Sequence, residues 1–197
     1  MLEYFQELPI SNILGKKVLI IGDVGKGKTL LTAKILEKLV KNNFSKEITV
    51  IDMAPKKKGK IGGKIEDYTN LVYKVKNYIN IESIRTPRLS GKSKEEILKL
   101  AEENYRLIKP YLIRYREKPT HILIINDLSI YLHAGSLEDI LECLLIANTF
   151  IANSYYGTFL RNDKGSGISK REKELIDKLM KYCDIIIDLN KRKIYVR

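Results

Sequence analysis

Eight consecutive residues carry the most chemistry in this chain: Gly22-Asp23-Val24-Gly25-Lys26-Gly27-Lys28-Thr29. They fit the pattern G-x-x-x-x-G-K-[ST] without departure. Glycines at these spacings let the backbone curl so that successive N–H groups point at one centre. A helix starting beside them adds partial positive charge there. Phosphate oxygens suit such a cradle. Lys28 is placed to reach the β and γ phosphates, and the Thr29 hydroxyl is a hard oxygen donor for Mg²⁺, which usually keeps several of its waters. The expected nucleotide contacts are therefore Gly22, Asp23, Val24, Gly25, Lys26, Gly27, Lys28, Thr29 and Leu30. Lys26 has two open readings, a contact to the γ phosphate or a cation in solvent.

A phosphate site of this kind also needs a carboxylate at the end of a neighbouring strand, turned toward the magnesium through its water shell. The run Ile122-Leu123-Ile124-Ile125-Asn126-Asp127 supplies it. In one register Asp127 faces the metal; in the other Asn126 does and Asp127 lies next to the attacking water. Asp127 is the only carboxylate there, so it takes the metal role together with Thr29.

The elements that must position these groups alternate between strand-length apolar runs and helical periodicities, the pattern of a parallel sheet covered by helices. Lys17-Val18-Leu19-Ile20-Ile21 leads into the glycine loop, and Leu31, Ile35 and Leu39 recur at helical spacing behind it. Ile48 to Asp52, Ile122 to Ile125, a segment within Thr149 to Tyr156, and Asp184 to Leu189 complete five strands. The tail 190–196 reads as a turn into a short hairpin partner. The expected fold is a three-layer α/β/α domain over 1–197, with a mostly parallel sheet of about five strands and an extension at 1–15. Capping-box spacings at Ser93/Glu96 and Ser169/Glu172, and Ser136 ahead of Ile140, mark helix starts. Pro110 kinks or ends the helix it falls in. The alternation over 71–84 is strand-like but aligns with no single element.

The loop, the strand ahead of it and the run ending at Asp127 resemble P-loop NTPases, and within them the RecA-like core. The resemblance covers about half of the chain, taking in Asp52, Asn153-Ser154 and the final strand and hairpin; only the glycine loop is specific. It implies ATP and Mg²⁺ as cofactors, and a polar strand end at Asn153 or Ser154 that reads the γ phosphate. RecA-like ATPases typically carry a glutamate just after the second strand to polarise water. This chain has Asp52-Met53-Ala54-Pro55 instead, so either Asp52 substitutes or hydrolysis is slow. GTP is less favoured, because Asn190-Lys191-Arg192-Lys193 lacks the aspartate of the guanine-reading N-K-x-D motif.

A basic glycine-bearing loop over 53–67 carries Lys56, Lys57, Lys58, Lys60 and Lys64. Loops at the carboxyl ends of strands line the ligand crevice of an open α/β sheet. Three readings stand for it: a nucleic-acid contact with steep salt dependence, a lid over bound triphosphate, or a solvated loop. Arg85, Arg88 and Lys92, and further on Arg161 and Lys164, are other cations that could serve a transferring phosphoryl group, in this chain or across a contact with a second subunit or protein partner.

The formal charge of +12 and a pI near 9.5 reflect a chain rich in lysine, isoleucine and glutamate, a bias shared with proteins from hot habitats. General basicity therefore argues little, and only local clusters count. No apolar run approaches the ~20 residues that span a bilayer, and the acidic start is unlike a secretory signal, so a cytoplasmic protein is expected. Cys143 and Cys183 have no metal or redox spacing and read as core residues. The leading expectation is a Mg²⁺-dependent ATPase, with Lys28, Asp52 and Asp127 as its catalytic groups. The alternatives are a small-molecule or polynucleotide kinase and a nucleotide-dependent binding module that does not hydrolyse.

Overall fold

The computed structural model describes residues 9–57, 59 and 63–197. In chain order the strands are β1 (Lys17–Gly22), β2 (Ile48–Asp52), β3 (Asn77–Asn80), β4 (Ile122–Asn126), β5 (Thr149–Tyr155), β6 (Ile185–Asp188) and β7 (Lys193–Val196). The helices are α1 (Lys28–Lys41), α2 (Pro87–Ser90), α3 (Lys94–Glu117), α4 (Ser129–Leu132), α5 (Leu137–Ile146) and α6 (Ile168–Leu179). One seven-stranded sheet runs in the order β3-β2-β4-β5-β1-β6-β7, parallel except for the β6–β7 hairpin.

Strands made of consecutive apolar residues must be covered on both faces. Alternate residues accordingly enter two cores. Leu19, Ile21, Leu123, Ile125 and Phe150 pack with Ile108 and Leu112 of α3, Ile140 and Cys143 of α5, and Ile176 and Leu179 of α6. Val18, Ile20, Ile122, Ile124 and Ile151 pack with Leu31, Ile35, Leu36 and Leu39 of α1. Each such side chain contributes roughly 1.5–3 kcal/mol on burial, so three layers follow from the strands' composition. Among the described residues, no helix is long and apolar enough to cross a membrane.

The five expected strands and the terminal hairpin are present, and β3 is the addition. It is short, only partly buried and flanked by asparagines at the sheet edge, so its apolar signal is weak. Ser93 and Ser136 cap their helices by accepting from the Glu96 and Asp139 N–H groups. Ser169 does not. α6 begins two residues earlier, with Gly167 in the cap position, whose φ of 81° supplies the turn, and this leaves Glu172 free to face the interior. Pro110 neither ends nor breaks α3, which runs on to Glu117. The proline sits on the exposed face, where the carbonyl deprived of its N–H partner can meet water.

The basic loop departs most from expectation. Lys56 and Lys57 are exposed, whereas Lys58 and Lys60 lie outside the described residues. Lys64 is not available to an external polyanion: it is 3% exposed, and its Nζ donates to the carbonyls of Asp52 (3.0 Å) and Ile81 (2.9 Å). Burial lowers its pKa against the pull of Asp52. Lys64 is thus an internal pin between the ends of β2 and β3. Lys64→Met leaves two buried carbonyls and the Asp52 carboxylate without their cation, a loss of about 3 kcal/mol. Thermal denaturation should show a melting temperature lower by roughly 6–12 °C for a chain of this size; an unchanged value would remove the pinning role.

Candidate functional site

The glycine loop leaves β1 at the carboxyl edge of the sheet and ends in α1. Gly25 (φ 72°) and Gly27 (φ 87°) take the left-handed backbone that their residue type permits. α1 starts with no side-chain cap and no acidic residue in its first turn. Its leading N–H groups are therefore open to an anion, with the positive end of the helix behind them. Lys28 folds back over the loop, donating from Nζ to the carbonyls of Gly22 (2.9 Å) and Asp23 (2.8 Å). Burial pushes its pKa down, and the carboxylates of Asp127, Asp23 and Glu172 resist that shift.

A cleft of about 840 Å³ opens from the loop. Val24, Gly25, Lys26, Gly27, Lys28, Thr29 and Leu30 form one wall, and Asp127, Asn153 and Tyr155 extend it across the ends of β4 and β5. Gly22 and Asp23 act behind that wall. A Cβ at Gly22 would lie 3.2 Å from that of Leu189, which leaves little room for another residue type. Asp23 accepts from its neighbour Val24 (2.7 Å) and from Thr158 (2.9 Å) and Phe159 (3.3 Å), tying the segment after β5 to the glycine loop. Burial alone would raise its pKa, but the N–H groups of Thr158, Val24 and Phe159 more than offset this and hold it low. Gly157 permits the approach, since a Cβ there would sit 2.3 Å from the Asp23 carboxyl carbon.

The two strand-end residues of β4 divide their work. Asn126 is fully buried; its amide donates to Asp52 Oδ1 (2.7 Å) and to the Gly63 carbonyl (3.1 Å), and its Oδ1 accepts from Asn153 Nδ2 (2.7 Å). Asp127, with φ 58°, turns out of the sheet into the cleft. Among the described residues its carboxylate accepts one hydrogen bond, from Ser129 Oγ at 2.6 Å. Burial raises its pKa against that bond and the charge of Lys28. A carboxylate in this condition is stabilised by a cation. Together with the Thr29 hydroxyl it offers hard oxygens beside a phosphate cradle, a donor set that fits Mg²⁺.

Asp52 and Asn153 sit differently from their expected roles. Asp52 is fully buried and outside the cleft lining, with its carboxylate taken by Ile65 N–H (2.7 Å), Asn126 and Ala54 N–H (3.3 Å). Burial raises its pKa against the nearby Lys64 ammonium. Asn153 touches the cleft, but its side chain is spent: Nδ2 donates to Thr32 Oγ1 (2.9 Å) and to Asn126, and Oδ1 accepts from Asp127 N–H (3.1 Å). A buried polar chain thus links α1, β5, β4 and β2. It sets where Asp127 leaves the sheet.

Sequence reasoning offered Arg88 as a cation for a phosphoryl group but missed the residues that hold it. Arg88 of α2 makes a bidentate pair with Glu172 of α6 at 2.6 and 3.1 Å, and His133 Nε2 lies 3.2 Å from the same carboxylate. Burial alone would raise the pKa of Glu172; the hydrogen bond from His133 and the charge of Arg88 more than offset this, and it stays below the ordinary glutamate value. The signal for Glu172 was present. It shares one helical face with Ile168, Ile176 and Leu179, all buried, and a carboxylate on an apolar face calls for a partner.

No protein-family model matches the sequence, and no curated protein matches it. Among solved structures, the chain is similar to the flagellar accessory protein FlaH from Methanocaldococcus jannaschii at 10% identity, over 89% of this chain and 71% of that one, with a TM-score of 0.49. It is also similar to the Pif1 helicase from Candida albicans at 20% identity and a TM-score of 0.39, over 78% of this chain but only 32% of that one. Likenesses this distant leave the function to be argued from the chemistry of the site itself.

Proposed function

We propose that this chain binds a nucleoside triphosphate with Mg²⁺ at the glycine loop and hydrolyses it slowly. The observation that carries this reading is the convergence of Lys28, the uncapped start of α1 and the cation-seeking Asp127 on one cleft. The loop amides and Lys28 hold the phosphates and neutralise charge that builds on them. Thr29 and Asp127 hold the metal, which when bound supplies further neutralisation of the phosphate oxygens. Slow turnover follows from Asp52, whose carboxylate is committed to the 53–65 loop and does not line the cleft. Adenine is the favoured base. Asn190, the residue that opens the guanine-like run, is occupied by Asp23 N–H (2.8 Å) and the Tyr156 carbonyl (2.7 Å).

Among the described residues of the loop after β2, Ala54, Pro55, Lys57 and Gly59 line the cleft, and the Lys57 ammonium lies 5.2 Å from the ring centroid of Tyr68 beyond the loop, which supports the lid reading for these residues. A nucleic-acid contact, if made, falls to Lys56 and Lys57 among the described lysines. Phosphoryl transfer is a second reading, favoured by the apolar far side of the cleft at Pro87, Leu89, Ile130 and Leu160, where an acceptor could sit.

ATP with Mg²⁺ at about 100 times its dissociation constant should stabilise the fold by about 2.7 kcal/mol. That raises the melting temperature by roughly 5–11 °C. Phosphate released without an acceptor identifies hydrolysis, and label passed to an added acceptor identifies transfer. If no nucleoside triphosphate shifts the melting temperature, the chain is not a nucleotide-binding protein.

A further inference from the structure

We infer that Arg88 is this chain's own reader of the terminal phosphate, held at rest by Glu172 and surrendered when a triphosphate enters the cleft. The inference rests on the reading of the glycine loop as a triphosphate site and adds to it the residue that tells tri- from diphosphate.

Three segments far apart in sequence meet here: α2 and the residue following α4 line the cleft, and Glu172 of α6 stands behind them. The Arg88 guanidinium bonds both Glu172 oxygens, with Ser169 Oγ a longer contact at 3.4 Å. It lies 4.9 Å from the centroid of the Tyr155 ring, and the Lys28 ammonium lies 5.9 Å from the same centroid. The two cations thus share one aromatic side chain in the cleft wall. A guanidinium has five N–H donors. The partners among the described residues engage three of them, and Arg88 lines the cleft.

A mere tie between α2 and α6 would be cheaper to build from apolar side chains, because a buried ion pair must overcome the desolvation of both groups. The pair instead stands within electrostatic reach of the phosphate machinery, where Glu172 acts on both Lys28 and Asp127. Lys28 and Arg88 stand among three carboxylates, Asp127, Asp23 and Glu172. A terminal phosphate brings further negative charge into this group. It repels Glu172 and offers the planar guanidinium a second partner matched to its fork. Glu172 keeps the hydrogen bond to His133 when Arg88 turns away. A diphosphate held by Lys28 and the loop amides lacks the oxygens that would compete for Arg88.

The test is the ratio of ATP to ADP affinity, measured on the full chain with Mg²⁺ by titration calorimetry. Wild type is expected to prefer ATP about tenfold or more, the worth of one added charge-assisted contact. The double variant Arg88→Met/Glu172→Gln removes both charges together, so no carboxylate is stranded. Its ATP affinity should fall about tenfold or more while ADP binding changes less than about twofold. Glu172→Gln alone loosens the hold on Arg88 and should tighten ATP several-fold without changing ADP. If the double variant keeps the wild-type ratio, or Glu172→Gln weakens ATP, the pair is only a structural tie and the inference is overturned, although the triphosphate site stands. If wild type binds neither nucleotide, the reading of the site itself is overturned.

Discussion

Lys28→Ala should remove the stabilisation expected of ATP and Mg²⁺ at the proposed site. The Lys28 ammonium is buried and already oriented, with two of its protons on the loop's own Gly22 and Asp23 carbonyls at 2.9 and 2.8 Å. A phosphate gives it a charged partner where the carbonyls are neutral. Charge-assisted hydrogen bonds contribute about 1.5–3 kcal/mol each, so two of them lost lower triphosphate affinity by roughly 100-fold or more. Turnover should fall about 10²- to 10³-fold, as it does when one preorganised donor to a developing charge is removed. The apo fold should lose about 1–3 kcal/mol, because two carbonyls lose their donor and the Asp127 carboxylate loses a nearby cation, so affinity is read at a temperature where the variant is folded. Calorimetric titration beside thermal denaturation separates these effects. Wild-type affinity in a folded Lys28→Ala protein would show that the loop does not hold phosphate.

The glycine loop was legible because everything it needs is local. Its glycines, Lys28 and the strand and helix around it lie within one stretch of chain, and the backbone at Gly25 and Gly27 uses the left-handed freedom that the sequence pattern implies. Asp127 was legible as the sole carboxylate at its strand end. Which way Asn126 and Asp127 face was not, because it depends on Asn153 and Asp52, brought together by the parallel pairing of β2, β4 and β5, and on Thr32 of α1.

The same limit explains the basic loop. Five lysines and three glycines over 56–64 look alike in sequence, yet Lys64 is buried because its ammonium can reach two strand-end carbonyls. Glu172 shows a different failure. Its spacing from Ser169 matched a capping box, and a local pattern hid a partner 84 positions away. The sheet was readable where strands were wholly apolar. It was not at β3, whose partly buried face carries asparagine at both ends.

Asp127→Asn should separate metal binding from folding. Asparagine tolerates the left-handed backbone at φ 58° and can still accept from Ser129 Oγ, so the local structure is kept. The proposed metal site loses its strand-end carboxylate. By the usual effect of removing an outer-shell partner, affinity for Mg²⁺ with ATP should fall about 10- to 100-fold, and adding EDTA should no longer change how strongly ATP stabilises the protein. The apo protein should move the other way. Burial raises the folded-state pKa of Asp127 above its unfolded value, so ionisation costs stability. That cost is absent below the unfolded pKa, grows as pH rises toward the folded pKa, and is constant above it. The variant escapes it. At neutral pH its apo melting temperature should exceed that of wild type, and the difference should vanish in acid. A variant that melts below wild type at neutral pH, or that keeps the wild-type response to EDTA, would place the metal carboxylate elsewhere. With Asp52 held inside the sheet by Ile65 and Asn126, the other carboxylates near the cleft are Asp23, which accepts from the Val24, Thr158 and Phe159 N–H groups, and Glu172, which Arg88 holds.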